Sequence, residues 1–92
     1  GSQFNGLANL TTLWLAYNNL QSLNIDFSKV NKLRNLFIQY NQLNTLPDNI
    51  SNLRDLEVLN LQGNRLRNLP LAFFSLSKLK YLDISNNDLI QM

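Results

Sequence analysis

Few side chains in this 92-residue chain are of a type that does covalent chemistry. It holds no cysteine and no histidine, which removes most nucleophile–base pairs and the usual zinc ligand sets. Its six carboxylates are scattered, with only Asp55 and Glu57 close together, and its three glycines are isolated, so no phosphate-cradling loop is spelled out. These residues point to no enzyme and to no cofactor. What remains is aromatic. Trp14, the sole tryptophan, is followed three residues later by Tyr17, and Phe37 is followed in the same way by Tyr40. Aromatic rings that carry a polar tip dominate binding energy at interfaces. The chemistry to expect is recognition.

Those rings need a scaffold, and the leucines supply one. Leu13 and Leu15 alternate like the inward face of a strand, which turns Trp14 between them the other way. The same arrangement recurs every 23 residues in four segments that align without a gap: "LTTLWLAYNNLQSL" from Leu10, "LRNLFIQYNQLNTL" from Leu33, "LEVLNLQGNRLRNL" from Leu56 and "LKYLDISNNDLIQM" from Leu79. Each fits L-x-x-L-x-L-x-x-N-x-L. The inward pairs are Leu13/Leu15, Leu36/Ile38, Leu59/Leu61 and Leu82/Ile84, and the asparagine column is Asn18, Asn41, Asn64 and Asn87. A side-chain amide at each strand end can satisfy buried backbone groups of the adjoining turn, so the asparagines read as structure. The linking halves start at Phe4, Phe27, Ile50 and Phe73, with apolar residues spaced for one buried side of a loose, 3₁₀-like turn. Two of them open with Leu46-Pro47 and Leu69-Pro70, where proline stops the preceding extended segment.

On these motifs the chain resembles the leucine-rich repeat family over nearly its whole length. The resemblance implies an α/β solenoid, a right-handed superhelix with a short parallel sheet on the concave side and loop or 3₁₀-like turns on the convex side. Residues 1–92 then form a single module: 1–9 end a preceding repeat, 10–32, 33–55 and 56–78 are full repeats, and 79–92 begin another. The first repeat departs from the pattern, since Leu23 is followed by Asn24 and not proline. Gly1-Ser2 read as a cloning remnant. With no polar cap evident, the sequence reads as a fragment of a longer array, or as a chain that hides its open ends by self-association.

Counting from the first leucine of each repeat, positions three, five and seven should point to the concave surface, with position eight at its rim. Position three holds Thr12, Asn35, Val58 and Tyr81; position five, Trp14, Phe37, Asn60 and Asp83. Position seven holds Ala16, Gln39, Gln62 and Ser85; position eight, Tyr17, Tyr40, Gly63 and Asn86. Neighbouring strands lie about 4.8 Å apart, so Trp14, Phe37, Tyr17 and Tyr40 should form one patch of several hundred Å². They are the expected anchors for a protein partner, with Arg34, Tyr81 and Asp83 as flanking contacts. The rings could instead only stack on one another, or be covered by a flanking segment.

The charge pattern narrows the partner class. Eight basic and six acidic residues leave a net +2, too little for a nucleic-acid surface. Lys29, Lys32, Arg54, Lys78 and Lys80 fall mostly on the convex turns and read as solvated. No apolar run approaches the ~20 residues of a membrane span, so membrane insertion is not expected. The lack of cysteine leans toward the cytoplasm. Asn9-Leu10-Thr11 and Asn49-Ile50-Ser51 match the glycosylation pattern, as chance allows in a chain with 16 asparagines. The function read here is a protein–protein interaction module that binds on its concave face. The alternatives are a targeting or regulatory segment of a larger enzyme and part of an extracellular or surface receptor.

Overall fold

The computed structural model describes residues 8–90. Gly1-Ser2, most of the half-repeat that starts at Phe4, and Met92 lie outside the described residues. Four strands, β1 (Thr12–Trp14), β2 (Asn35–Phe37), β3 (Val58–Asn60) and β4 (Tyr81–Asp83), alternate with 3₁₀ turns at Phe27–Lys29, Asp48–Asn52 and Leu71–Ser75. The strands form one sheet in the order β1-β2-β3-β4, and every pairing is parallel. Register follows the repeat: Trp14 pairs with Phe37, Phe37 with Asn60, and Asn60 with Asp83. The expected solenoid is the observed architecture.

Each strand is formally three residues long, yet its backbone bonding runs further. The N–H groups of Arg34 and Asn35 both donate to the Thr11 carbonyl, at 2.8 and 3.0 Å, and that of Tyr17 donates to the Gln39 carbonyl at 3.0 Å. The core is fullest in the middle. Leu33, Leu36, Ile38, Leu56, Leu59 and Leu61 are fully buried, whereas Leu13, Leu15 and Ile84 of the end repeats are partly buried and Leu82 is exposed. A ladder leucine needs a neighbouring repeat on both sides, and among the described residues the outer repeats have one.

The asparagine column joins the repeats. Asn64 accepts the Leu43 N–H at 3.0 Å and donates to the carbonyls of Ile38 and Leu61, both at 3.0 Å. Asn41 does the same work one repeat earlier, accepting from Asn18 and Leu20 and donating to Leu15 and Ile38. Asn87 accepts from Leu66 and donates to Leu61 and Ile84. Each amide therefore satisfies backbone groups of its own repeat and of the one before it, as a buried strand end requires.

The convex turns bury Phe27, Ile50 and Phe73. Pro47 and Pro70 begin two of them in the extended conformation that proline favours. The turn without proline is the shortest, and the Asp26 carboxylate caps it by accepting from the Ser28 N–H and hydroxyl. At Asn49 the amide donates to the Ile25 carbonyl at 2.8 Å, so the nitrogen of that glycosylation pattern is already engaged in the fold. The five basic residues assigned to this side are exposed; Lys78 pairs with Asp55 and Lys80 with Glu57.

Three aspartates acquire donors in the fold that hold their carboxyls below the ordinary 3.8. The Ser28 hydroxyl and then its N–H do this for Asp26, the Lys78 ammonium for Asp55, and the Ser85 hydroxyl and then its N–H for Asp83. A carboxylate depressed on folding adds stability above its unfolded value, and the gain is lost as pH falls through the folded value. No histidine or cysteine titrates near neutrality. The urea midpoint is therefore expected to stay flat from about pH 5 to 8 and to decline below about pH 4. A midpoint that moves between mildly acid and neutral buffer contradicts this.

Candidate binding surface

The strand face carries the aromatic residues in two pairs. Trp14 on β1 meets Phe37 on β2 with ring centroids 5.1 Å apart and planes tilted by 43°. Just past the strand ends, Tyr17 and Tyr40 stack at 5.0 Å with planes 17° apart. Both separations suit favourable ring–ring contact. The rings stay open to solvent all the same: Trp14 is 58% exposed, Tyr17 67% and Tyr40 40%, with Phe37 half-buried between its neighbours.

The tyrosine pair rests on unusual backbone. Tyr17, Tyr40, Gly63 and Asn86, the whole of position eight, have φ of 64, 59, 72 and 57°. This left-handed conformation turns the chain out of the strand. Glycine adopts it freely and asparagine tolerates it, but a bulky side chain pays about 1–2 kcal/mol. Gly63 also makes room: a Cβ there would lie 2.5 Å from Cδ1 of Tyr40 and 2.7 Å from Cε1. The Tyr40 ring therefore lies across the Gly63 backbone and carries Tyr17 on its other side. Gly63→Ala is expected to displace that ring and to cost about 1–2 kcal/mol for the left-handed residue alone. Adding Tyr40→Ala should recover the clash but not the backbone cost. Two penalties that simply add in urea denaturation would show that ring and glycine do not touch.

The expected contact set separates into three parts. Trp14 and Phe37 form one pair, and Tyr17 and Tyr40 a second. Tyr81 is half-exposed on β4, across the sheet from them, and Asp83 lies in the Phe37 column but two strands away. Asp83 accepts from the Ser85 N–H at 3.0 Å and its hydroxyl at 2.6 Å. Arg34 stands exposed just before β2, with no ion pair among the described residues.

Position seven corrects the sequence reading in the first two repeats, whereas Gln62 is half-buried and Ser85 exposed. Its residues were expected to project outward, yet Ala16 is 6% and Gln39 8% exposed. They are short or neutral and form a floor between columns five and eight, whose rings rise on either side. Gln39 was not among the expected contacts, although its Oε1 is buried without a hydrogen-bond donor. Its place between two aromatic columns was the available signal.

A groove of about 600 Å³ on the convex side is lined by Ser51, Arg54, Asp55 and Lys78 among others, and the Lys78–Asp55 pair already answers two of its charges. Among the described residues no group of three His, Cys, Asp or Glu is placed to hold a metal ion, and no helix is long and apolar enough to cross a membrane.

A family model described as "Leucine rich repeat" matches residues 1–43 and 44–89. Among solved structures, a leucine-rich repeat protein of Leptospira interrogans superposes with a TM-score of 0.91 at 31% sequence identity, covering 99% of this chain and 23% of that one. This chain thus spans about a quarter of that protein's length. No curated protein matches it. The four in-register repeats, the parallel sheet with its 3₁₀ turns and these two likenesses lead to one conclusion: the chain belongs to the leucine-rich repeat family, whose members are generally protein–protein interaction modules.

Proposed function

We propose that this chain binds a partner protein or peptide on its strand face, with Trp14, Phe37, Tyr17 and Tyr40 as anchors and Arg34, Tyr81 and Asp83 as flanking contacts. The observation that carries this reading is the backbone of position eight. Gly63 and Asn86 show which residues that conformation prefers, yet Tyr17 and Tyr40 occupy it and remain exposed. Strain held at an exposed aromatic pair points to a role outside the fold. The ladder beneath holds the rings in place before a partner arrives, which lowers the ordering cost of binding.

Two measurements test it. Trp14→Ala is expected to weaken the partner by about 2 kcal/mol, roughly thirtyfold, in a titration followed by calorimetry; unchanged affinity removes Trp14 from the site. In lysate from the source organism, the double variant Trp14→Ser/Phe37→Ser, checked for its native circular dichroism, should lose a partner that the parent chain captures. Retention of every partner would leave the rings as packing groups. The greater length of the Leptospira protein favours one secondary reading, in which the same face recruits a partner to a larger chain, such as an enzyme or a surface receptor.

A further inference from the structure

The charges at the strand entries repeat with the leucines. Just before the first leucine of each repeat stand Asn9, Lys32, Asp55 and Lys78, and just after it Thr11, Arg34, Glu57 and Lys80. The second repeat thus enters with two cations, the third with two carboxylates and the fourth with two cations. Lys78 meets Asp55 at 2.8 Å and Lys80 meets Glu57 at 3.5 Å, so each of these cations is answered by the acid one repeat earlier. Lys32 and Arg34 hold the same two places, but the residues one repeat before them are neutral. Lys32 Nζ meets the Asn9 amide oxygen at 3.5 Å, and the Thr11 carbonyl is taken by the N–H groups of Arg34 and Asn35. The acids on the far side are engaged: the Asp55 carboxyl is held down first by the Lys78 hydrogen bond and only last by the charge of Arg34. Among the described residues, Lys32 and Arg34 make no ion pair.

This unanswered pair adjoins the aromatic face. Arg34 lies three residues before Phe37, about 10 Å along a strand, and Phe37 is the register partner of Trp14. Between them are Thr12 and Asn35, joined at the surface by an amide-to-hydroxyl hydrogen bond of 3.1 Å. Both are neutral and polar, so a chain crossing from the cations to the rings meets no charge. The carboxylate of this face is elsewhere: Asp83 sits two strands from Phe37 and already accepts the Ser85 N–H and hydroxyl. The open charge beside the rings is therefore positive. Singly, an exposed cation adds little to affinity, but two together beside an apolar anchor set orientation and raise the rate of encounter.

Resting on the binding face proposed above, we infer that the partner protein docks here through an acidic segment. Its carboxylate side chains lie on Lys32 and Arg34, and an apolar side chain a few residues away covers Trp14 and Phe37. In extended chain, residues two apart share one face at a spacing of about 7 Å, and the reach of an arginine closes the remaining distance.

The test uses the 92-residue chain and three short capped peptides. Each has a central leucine, flanked two residues away on both sides by glutamate, glutamine or lysine. Binding is followed by Trp14 fluorescence. In low salt the glutamate peptide is expected to bind about fivefold tighter than the glutamine one, as two exposed ion pairs give, and the lysine peptide weakest. The preference should fade in about 1 M salt. It should vanish in Lys32→Gln/Arg34→Gln with the urea midpoint unchanged, and persist in Arg65→Gln/Arg67→Gln, which removes as much charge from the other strand ends. Equal binding of the glutamate and glutamine peptides, tighter binding of lysine, or a preference that survives Lys32→Gln/Arg34→Gln overturns the inference. If Trp14→Ala abolishes the binding in any of those cases, the aromatic face still stands as the site. A glutamate preference that Trp14→Ala leaves unaltered places the acid on the cations without the rings and takes down both. Absence of all peptide binding overturns the inference, and the binding face then stands or falls with the Trp14→Ser/Phe37→Ser capture.

Discussion

Asn64→Ala is expected to lower the unfolding free energy by about 2–4 kcal/mol, because it orphans one buried backbone N–H and takes one of two donors from each of two buried carbonyls. The Leu43 N–H loses its acceptor, while the Ile38 and Leu61 carbonyls each lose one donor and keep the amide of Asn41 or Asn87. Asn64 is 5% exposed, so water does not replace the amide unless the repeat opens. A domain of this size commonly has about 5–15 kcal/mol in total, so the variant is expected to lose a large fraction of its stability. Asn64→Asp separates geometry from chemistry: it keeps the acceptor for Leu43 but faces two carbonyls with no proton to give. Urea denaturation read by circular dichroism measures both. A loss below about 1 kcal/mol for Asn64→Ala, within the range of a single net hydrogen bond, would mean that the ladder amides are not holding the repeats together.

The second large effect is expected at Phe27. Its ring is fully buried beneath the shortest convex turn, the one that begins without proline. Phe→Ala in a core typically costs about 3–5 kcal/mol, the spread reflecting how far the site collapses. This turn has little to resist collapse with, since three residues and the Asp26 cap define it. A result at the low end of that range, accompanied by loss of the Asp26–Ser28 bonds in an NMR comparison, is what a yielding turn gives. Ile50→Ala, under a five-residue turn opened by Pro47, serves as the stiffer reference. Equal costs, once scaled for side-chain size, would show that proline adds no rigidity.

The repeat made much of this structure readable in advance. A 23-residue offset places Leu13, Leu36, Leu59 and Leu82 in one file, and once the file is drawn the parallel sheet and the asparagine ladder follow from backbone bonding needs. Trp14 and Phe37 were legible for the same reason, being register partners on adjacent strands. What escaped was everything set by direction within a column. Alternation predicts which side of the sheet a residue takes but not how deep it lies, so Gln39 passed for a surface residue. The left-handed turn at position eight was partly written in the sequence, since that column mixes Gly63 and Asn86 with two tyrosines. The contact of the Tyr40 ring with Gly63 was not, because it depends on the angle at which one ring leans toward the next repeat.

The ladder also bears on what happens when the chain is pulled. Asn41, Asn64 and Asn87 tie each repeat to its neighbour and to nothing further away. Tension applied at the two ends acts along this stack and loads the interfaces in series. The weakest yields first while the others remain closed, so the module lengthens in steps, each releasing 23 residues of slack. That is roughly 76–83 Å of extended chain per step. The chain that binds as a rigid surface would thus behave under load as a ratcheted tether, paying out length without coming apart all at once.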